Sequence, residues 1–414
     1  MRRITKGCED ITAKQQYIRL TALCTAVYLI SYVSRINLAA VMVELIHSGF
    51  AEKTDVALAL TVCSVTYGGG QILSGWLGDR CRPQNVILTG FLLTAAMNLG
   101  VCILQTPAFL TPLWAVNGLA QAFMWPPLLR IMTSHLTHED YSRACVWVSW
   151  GSSFGTMAVY ALSPMLIRMG SFRTVFLCSG MAALTMALVW KTRYEKLFGD
   201  RAPQKAVPVQ AEAPGAEPMT GRVFLLMGAI MVGIMLHGAL RDGVTNWMPT
   251  FVSESFGLDS SSAIYTGVLL PVFAMLSIKV ASWLYQRLLP NEATASGVFF
   301  AAGCGASLLL TVLMEGSMVT SALLMAFVVG CMHGVNYTLV TMTPTYFRRY
   351  GHVALVSGVL NGATYVGSAV STYGIALLSE HWGWHGTGLL WAVMAGAGAV
   401  LCFLMAGAWK KFKG

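Results

Sequence analysis

The sequence predicts an all-α, polytopic membrane protein with twelve transmembrane helices in two six-helix halves. Hydrophobic residues make up 56% of the 414 residues and charged residues only 11%, whereas soluble domains carry about 25% charged residues. Apolar runs recur from Leu20 to Met405, and many reach the roughly 20 residues that a helix needs to cross a bilayer. Lipid is therefore predicted to be the main solvent of this chain.

Twelve apolar segments are predicted to cross the membrane. They lie at 19–46, 55–78, 85–105, 110–136, 143–167, 172–190, 222–252, 261–286, 294–313, 317–345, 351–379 and 384–408. The predicted division is therefore an N-terminal six-helix half at 1–190, a cytoplasmic linker at 191–221 and a C-terminal six-helix half at 222–414. The linker combines several basic residues with a stretch rich in Pro, Ala, Glu and Gln, which cannot bury enough apolar surface to fold.

Basic residues fix the predicted orientation. Most Lys and Arg residues lie in the N-terminus, the C-terminus and the segments on the same side of the membrane as the linker. The positive-inside rule then places both termini in the cytoplasm. Because the net charge of +9 is carried mainly by these segments, it does not indicate a nucleic-acid partner. The predicted outer loops contain no N-x-S/T sequon, and we expect a multi-pass protein of a bacterial inner membrane.

The sequence shows no pattern typical of an enzyme or of a metal site. The ten cysteines include no CxxC pair and no Cys/His cluster at zinc spacing, and most lie inside apolar runs. No phosphate loop and no nucleophile with a base at meaningful spacing is present. We therefore expect no catalytic residues, no metal and no cofactor.

The two halves show weak internal repetition. Arg35 in the first span and Arg241 in the seventh are 206 positions apart. At a slightly larger offset, Gly118 and Gly155 correspond to Gly330 and Gly367. Parallel halves related by an axis along the membrane normal are one of the architectures of secondary transporters, which bind substrate near the bilayer midplane between the repeats.

Arg35 and Arg241 are the main candidates for substrate binding. A charged side chain at the bilayer centre costs at least about 2.5 to 3.5 kcal/mol, so mid-span arginines are functional by default. Guanidinium groups form bidentate, charge-assisted hydrogen bonds with phosphate oxygens. The alternative is that each arginine forms a structural ion pair, Arg241 with Asp242 and Arg35 with Glu44. Helical geometry disfavours both pairs, because Arg241 and Asp242 point about 100° apart and Glu44 lies nine positions from Arg35 on a different face of the helix.

Other polar residues share these spans. Tyr28 and Tyr32 lie on the same helical stripe as Arg35, and His237 precedes Arg241 by one turn, so all three are candidates for substrate binding. Asp242 is a possible proton site for coupled transport. The sequence Trp125-Pro126-Pro127 predicts a break in the fourth span, since proline lacks the amide hydrogen of the helical ladder.

The segment GWLGDRCRPQN at 75–85 resembles the loop motif between spans two and three of the major facilitator superfamily. The resemblance implies that Gly75, Asp79 and Arg80 form a gating motif on the cytoplasmic side. The second half has no equivalent acid at 281–290.

Longer segments are similar to the organophosphate:phosphate antiporters, the family of glycerol-phosphate and hexose-phosphate transporters. They are YLISYVSRINLAAVM at 28–42, NGLAQAFMWPPLLRIMTSHLTHEDYSRACVWVSW at 117–150, LRDGVTNWMPTFVSESFGL at 240–258 and GATYVGSAVSTYG at 362–374. This resemblance implies that Arg35 and Arg241 bind phosphate and that Tyr67 and Tyr365 line the cavity. Gln71, Phe154 and Thr266 stand where the glycerol-phosphate members carry a lysine, a histidine and an acid, and Gln71 is kept as a candidate for substrate binding.

We therefore expect a monomeric secondary transporter that exchanges a small phosphorylated organic anion for inorganic phosphate. The expected partners are that small anionic substrate, inorganic phosphate and the lipid bilayer. Two alternatives stay open: a proton-coupled symporter of organic or sugar acids with Asp242 or Glu44 as the proton carrier, and a membrane sensor of sugar phosphates.

Overall fold

The structure is a computed structural model that describes residues 2–198, 220–350 and 353–413. Within these ranges the side chains at 2–14, 75–76, 78–80, 138–139, 142, 348–349 and 353–355 lie outside the description. The described part of the chain consists of helices joined by short turns and loops and contains no strand. This confirms the predicted all-α class.

Thirteen α-helices follow one another along the described chain. They are α1 Arg2–His47, α2 Lys53–Arg80, α3 Pro83–Cys102, α4 Leu110–Ala122, α5 Trp125–His135, α6 His138–Met169, α7 Phe172–Phe198, α8 Gly221–Phe256, α9 Ser260–Thr266, α10 Leu269–Arg287, α11 Glu292–Leu313, α12 Met318–Val335 and α13 Val353–Lys413. Helix α1 begins earlier than the predicted first span, and α7 runs to Phe198. The linker predicted at 191–221 lies mostly outside the described residues, so the boundaries of the halves stay a prediction.

Nine helices in the described residues are long and apolar enough to cross a membrane. This number is consistent with twelve crossings for three reasons. The fourth predicted span is divided into α4 and α5, α6 is a 32-residue helix outside the nine, and α13 contains two predicted spans. Gly383, with φ 66° and ψ −171°, separates those two spans, since glycine tolerates this positive φ.

Prolines interrupt some spans and not others. Between α4 and α5, Phe123 and Met124 leave the helix directly before Trp125-Pro126-Pro127, which confirms the predicted break. Helix α8, in contrast, continues through Pro249 to Phe256. Span ten leaves α geometry, because α12 passes into a π-helix at Asn336–Met342 and then into a 3-10 helix at Thr343–Tyr350.

Glycine contacts reveal the internal symmetry of the fold. A Cβ atom on Gly155 of α6 would collide with the carbonyl oxygen of Leu29 in α1, and one on Gly367 of α13 would collide with that of Met235 in α8. Leu29 and Met235 are 206 positions apart, as Arg35 and Arg241 are. Each half therefore contains an equivalent close helix contact beside its own arginine, as expected of small residues at membrane helix interfaces.

A buried polar network fixes the rotation of α1. Asn37 donates to the side chain of Asn98 in α3 at 2.7 Å, and Asn98 and Asn117 both donate to the backbone carbonyl of Ser34, at 3.2 Å and 3.1 Å. Ser31 donates to Gln121 at 2.6 Å. Because these bonds hold one face of α1 against α3 and α4, a different face of the helix is left for the interior between the halves.

A buried carboxylate connects the C-terminal end of α13 to α10 and α11. Glu292 is fully buried and accepts hydrogen bonds from Tyr285 at 2.6 Å, Trp409 at 2.6 Å and Lys413 at 3.0 Å. These donors come from the last turn of α10 and the end of α13. The second half thus has a buried acid in this region, although it lies at the start of α11 and not in the segment 281–290.

The two sets of helices meet at the end of the molecule that carries the α1–α2 and α8–α9 loops. There Lys53 forms an ion pair with Glu254 at 2.7 Å, and Trp384 donates to the same carboxylate at 3.0 Å. His47 contacts the hydroxyls of Ser253 and Ser260 at 3.2 Å and 3.1 Å. The halves are therefore closed against each other at this end.

Candidate functional site

Arg35 lies on the interior face of α1, surrounded by aromatic rings. Its guanidinium carbon is 3.8 Å from the centre of the Tyr67 ring, 5.6 Å from Tyr32 and 5.7 Å from Tyr365. Among the residues that the structure describes, no carboxylate forms an ion pair with Arg35. The expectation that Arg35 does not pair with Glu44 is therefore confirmed. Cation–π contacts stabilise the guanidinium but leave its N–H groups available to an anion.

The tyrosines around Arg35 come from both halves. Tyr67 of α2 and Tyr365 of α13 are almost fully buried, and their ring centres are 4.7 Å apart in an edge-to-face arrangement. Tyr28 and Tyr32 of α1 form a similar pair at 5.1 Å, and Tyr28 also packs on Trp125 at 4.8 Å. The four tyrosines predicted to line the site therefore form two ring pairs, and each pair has at least one ring within about 6 Å of the Arg35 guanidinium carbon.

Arg241 is paired with its neighbour in sequence, which corrects the expectation from helical geometry. Its Nε donates to Oδ1 of Asp242 at 2.6 Å, and its Nη2 donates to Oδ2 at 2.9 Å. Both side chains are partly exposed, at 16% and 22%. The Cα–Cβ bonds of adjacent helical residues do point about 100° apart, but the long arginine stem folds around the helix surface and lets the guanidinium meet the carboxylate edge to edge.

The two arginines belong to one electrostatic cluster. Tyr32 and Tyr365 lie close to both Arg35 and Arg241, and Asp242 lies close to Arg35 as well. Ser368 of α13 lies beside the carboxylate of Asp242, and its hydroxyl is 3.4 Å from that of Ser64 in α2. Side chains of α1, α2, α8 and α13 therefore converge on one site between the halves.

Both arginines lie at the same depth. His47 and Ser253, which touch at the closed end, follow Arg35 and Arg241 by the same number of residues. A rise of 1.5 Å per residue places the arginines about 18 Å below that contact. In a hydrocarbon core about 30 Å thick, this is a depth inside the membrane.

Two further candidates lie beside the cluster with incomplete hydrogen bonding. His237 is fully buried, and neither ring nitrogen has a hydrogen-bond partner within the described part of the chain. Nε2 of Gln71 also lacks a partner there. His237 interacts electrostatically with Arg241, Asp242 and His333. The structure therefore places His237 near the polar groups of the site, whereas the position of Gln71 there stays a prediction.

Sequence reasoning missed Ser368 and His333. Ser368 follows Tyr365 by three residues, so both lie on one face of α13, and this spacing could have identified it. His333, in the last turn of α12, interacts electrostatically with Arg241 and Asp242. In the sequence, His333 stands out as a single histidine in a long apolar run. It lies shortly before the π-helix at Asn336–Met342. Single π-helical turns inside helices are frequent at functional sites.

The predicted gating motif lies outside the described side chains. The backbone of α2 continues to Arg80, but nothing beyond the backbone is described at Gly75, Asp79 or Arg80. Of the positions that depart from the glycerol-phosphate pattern, Phe154 is 45% exposed and Thr266 donates its hydroxyl to the backbone carbonyl of Ala263 at 2.7 Å. The described residues contain no group of side chains able to hold a metal ion.

Comparison with known proteins agrees with this geometry. The family model of the Major Facilitator Superfamily matches residues 24–372. The membrane sensor protein UhpC of Salmonella typhimurium is 22% identical over 95% of this chain and 92% of its own. The glycerol-3-phosphate transporter of Bacillus subtilis is 22% identical over 66% of this chain and 65% of its own. The predicted resemblance to the organophosphate:phosphate antiporters is confirmed by these relatives.

Solved structures show the same fold. A crystal structure of a bacterial homolog of the human lysosomal transporter Spinster superimposes with a TM-score of 0.75 at 14% identity, over 95% of this chain and 97% of the other. The superposition supports the predicted arrangement of transmembrane helices. By its family match, its membrane-spanning helices and this fold, the chain belongs to the major facilitator superfamily and is a membrane transporter.

Proposed function

We propose that this transporter exchanges a small phosphorylated organic anion for inorganic phosphate by alternating access. The observation that carries the proposal is the pair of intramembrane arginines, Arg35 and Arg241, which are related by the internal repeat and converge on one tyrosine-lined site. The glycerol-3-phosphate transporter named above supports a phosphorylated ligand.

The donors of the site suit a phosphoryl group. Each guanidinium offers N–H groups in a planar fork that matches two phosphate oxygens, and tyrosine hydroxyls can donate to the others. Arg241 keeps free N–H groups although Asp242 occupies its Nε side, because only Nε and Nη2 are used in that ion pair. An anion between Arg35 and Arg241 therefore has donors on two opposite sides.

Alternating access follows from where the halves touch. From Lys53–Glu254 at the closed end to the Tyr67–Tyr365 pair, contacts between α2 and the C-terminal helices close one path to the site. We propose that rocking of the halves opens this path and closes the opposite one. Exchange is favoured over movement of the empty carrier, because Arg35 without an anion is an unpaired charge that is costly to bury in a dry cavity. Arg241 is already paired with Asp242.

The membrane setting is proposed from the distribution of charge. The Lys and Arg bias places both termini in the cytoplasm, so the closed end faces the outside, and a bacterial inner membrane agrees with the bacterial relatives. We propose that the monomer is the functional unit, because the site between the halves is formed by one chain.

Exchange of labelled phosphate tests the proposal. Purified protein is reconstituted into liposomes that are either loaded with phosphate or empty, and uptake of labelled phosphate is measured. We expect uptake only into loaded vesicles. Arg35→Ala and Arg241→Ala should each lower it about a hundredfold, because loss of two charge-assisted hydrogen bonds costs roughly 3 kcal/mol.

Arg193→Ala is the matched control, since Arg193 is an exposed arginine near the end of α7. It should retain wild-type exchange. Uptake that is driven by a proton gradient and is independent of internal phosphate would favour the symporter with Asp242 as proton carrier. Phosphate binding without any exchange would favour a sensor and contradict the proposal.

A further inference from the structure

Asp242 leaves part of Arg241 free for an anion. The carboxylate occupies the edge of the guanidinium formed by Nε and Nη2. An arginine carries five N–H donors, so the edge formed by Nη1 and Nη2 stays available. Ser368 from α13 lies beside Asp242. Because the carboxylate occupies only one edge of the guanidinium, an anion can bind the other edge of Arg241 without displacing it.

The formal charge of the site follows from this arrangement. Two guanidinium groups and one carboxylate give a net charge of one positive unit. Five helices contribute the titratable or charged groups around Asp242. They are Tyr32 and Arg35 of α1, Tyr67 of α2, His237 and Arg241 of α8, His333 of α12 and Tyr365 of α13. With tyrosines and histidines neutral, none changes this sum. Lys279 lies elsewhere, with its Nζ 5.6 Å from the Trp150 ring.

We infer that Asp242 remains bound to Arg241 when substrate enters, so that the site accepts one net negative charge. A singly charged phosphate therefore enters alone, and a doubly charged phosphate enters together with one proton. This inference rests on the proposed function. The charges sum to zero, because the site with charge +1, the dianion and one proton from solution form a neutral complex. The proton is held between an Asp242 oxygen and a phosphate oxygen. One O–H bond forms at the site, and the buffer or hydronium ion that supplies the proton loses one; no other covalent bond changes.

Electrostatics gives the reason for this selectivity. A second uncompensated negative charge within a few ångström of Asp242 is repelled strongly in a site of low effective dielectric constant. Neutralising that charge with a proton removes the repulsion. The inference also separates Asp242 from a residue that merely holds Arg241 in place, because a purely structural role predicts no proton uptake.

The test counts protons taken up when inorganic phosphate binds. Titration calorimetry is carried out on the purified full chain at about pH 8.5, where phosphate is almost entirely a dianion, in two buffers of different ionisation enthalpy. The wild type should take up about one proton per phosphate bound. Asp242→Asn should take up none and should bind the dianion about tenfold more tightly.

Two further variants control the assignment. Asp242→Glu keeps the charge, and His333→Gln removes the neighbouring titratable ring, so both should still take up about one proton. Binding by the wild type without proton uptake would overturn the inference alone, even if Asp242→Asn does not fold. Loss of proton uptake in His333→Gln and not in Asp242→Asn would overturn it as well. A wild type that binds no phosphate would instead refute the proposed function on which the inference rests.

Discussion

Single residues determine what the site can bind. Arg35 and Arg241 occupy equivalent positions of the repeat, yet their surroundings differ. Arg35 rests on tyrosine rings with no ion-pair partner in the described part of the chain, whereas Arg241 has Asp242 at hydrogen-bond distance. In the empty carrier, the charge of Arg35 is therefore less compensated than that of Arg241. The ring of Tyr67, 3.8 Å away, orients its guanidinium for that anion.

Substitution of Tyr67 tests this orienting contact. Tyr67→Phe keeps the aromatic face and should leave phosphate exchange within about twofold of the wild type. Tyr67→Leu removes the cation–π contact, worth about 0.5 to 2 kcal/mol, and should weaken exchange about tenfold. The measurement is the initial rate of exchange at several phosphate concentrations. Equal losses in the two variants would show that the hydroxyl, and not the ring face, is what matters at this position.

Sequence reasoning identified the arginines and tyrosines but misjudged Asp242. Intramembrane charge indicated Arg35 and Arg241, helical spacing added Tyr28 and Tyr32, and the family resemblance added Tyr67 and Tyr365. The ion pair of Arg241 with Asp242 was rejected because the residues are adjacent in a helix. The Cα–Cβ bonds of adjacent helical residues do point about 100° apart. The side chain of arginine is long enough to reach around the helix, which only the three-dimensional arrangement shows.

At the scale of helices, close packing places the site. Gly155 lets α6 approach the backbone of α1 at Leu29, and Gly367 lets α13 approach α8 at Met235. Leu29 and Met235 each precede their site arginine by six residues. These contacts therefore hold α1 and α8 at a fixed separation from their neighbours, immediately beside the residues that bind substrate.

Gly367→Ala should destabilise the protein, and Gly374→Ala should not. A methyl group at 367 would collide with the Met235 carbonyl, whereas nothing lies within 4 Å of the corresponding position at 374 on the same helix. Overpacking of this kind costs about 1 to 3 kcal/mol. In an exposed helix position, alanine is slightly more favourable than glycine. Thermal unfolding in detergent compares the two, and equal midpoints would contradict the proposed packing.

The helices themselves were predicted well, with exceptions that have local causes. The break at Phe123–Met124 was predicted because Pro126 and Pro127 cannot donate to the helical ladder. The π-helix at Asn336–Met342 was not predicted. Thr341 and Thr343 donate their hydroxyls to carbonyl oxygens five residues earlier, and Pro344 lacks an amide hydrogen. A hydrophobicity pattern does not register such side-chain bonds.

At the scale of the molecule, the repeat relates the binding site to the closed end. The offset that relates Arg35 to Arg241 also relates His47 to Ser253, which touch each other. Contacts between the halves extend from this end to the Tyr67–Tyr365 pair. The sequence predicted two halves and a central site, but it could not predict which end is closed. That depends on contacts such as Lys53–Glu254 between residues far apart in the chain.

The central claim is that one anion is shared by Arg35 and Arg241. Calorimetric titration of the purified protein with inorganic phosphate tests it most directly, because it gives both the stoichiometry and the affinity. We predict one phosphate per chain for the wild type, and binding weakened about a hundredfold in both Arg35→Ala and Arg241→Ala. Two phosphates per chain, or wild-type affinity in either variant, would contradict a shared site.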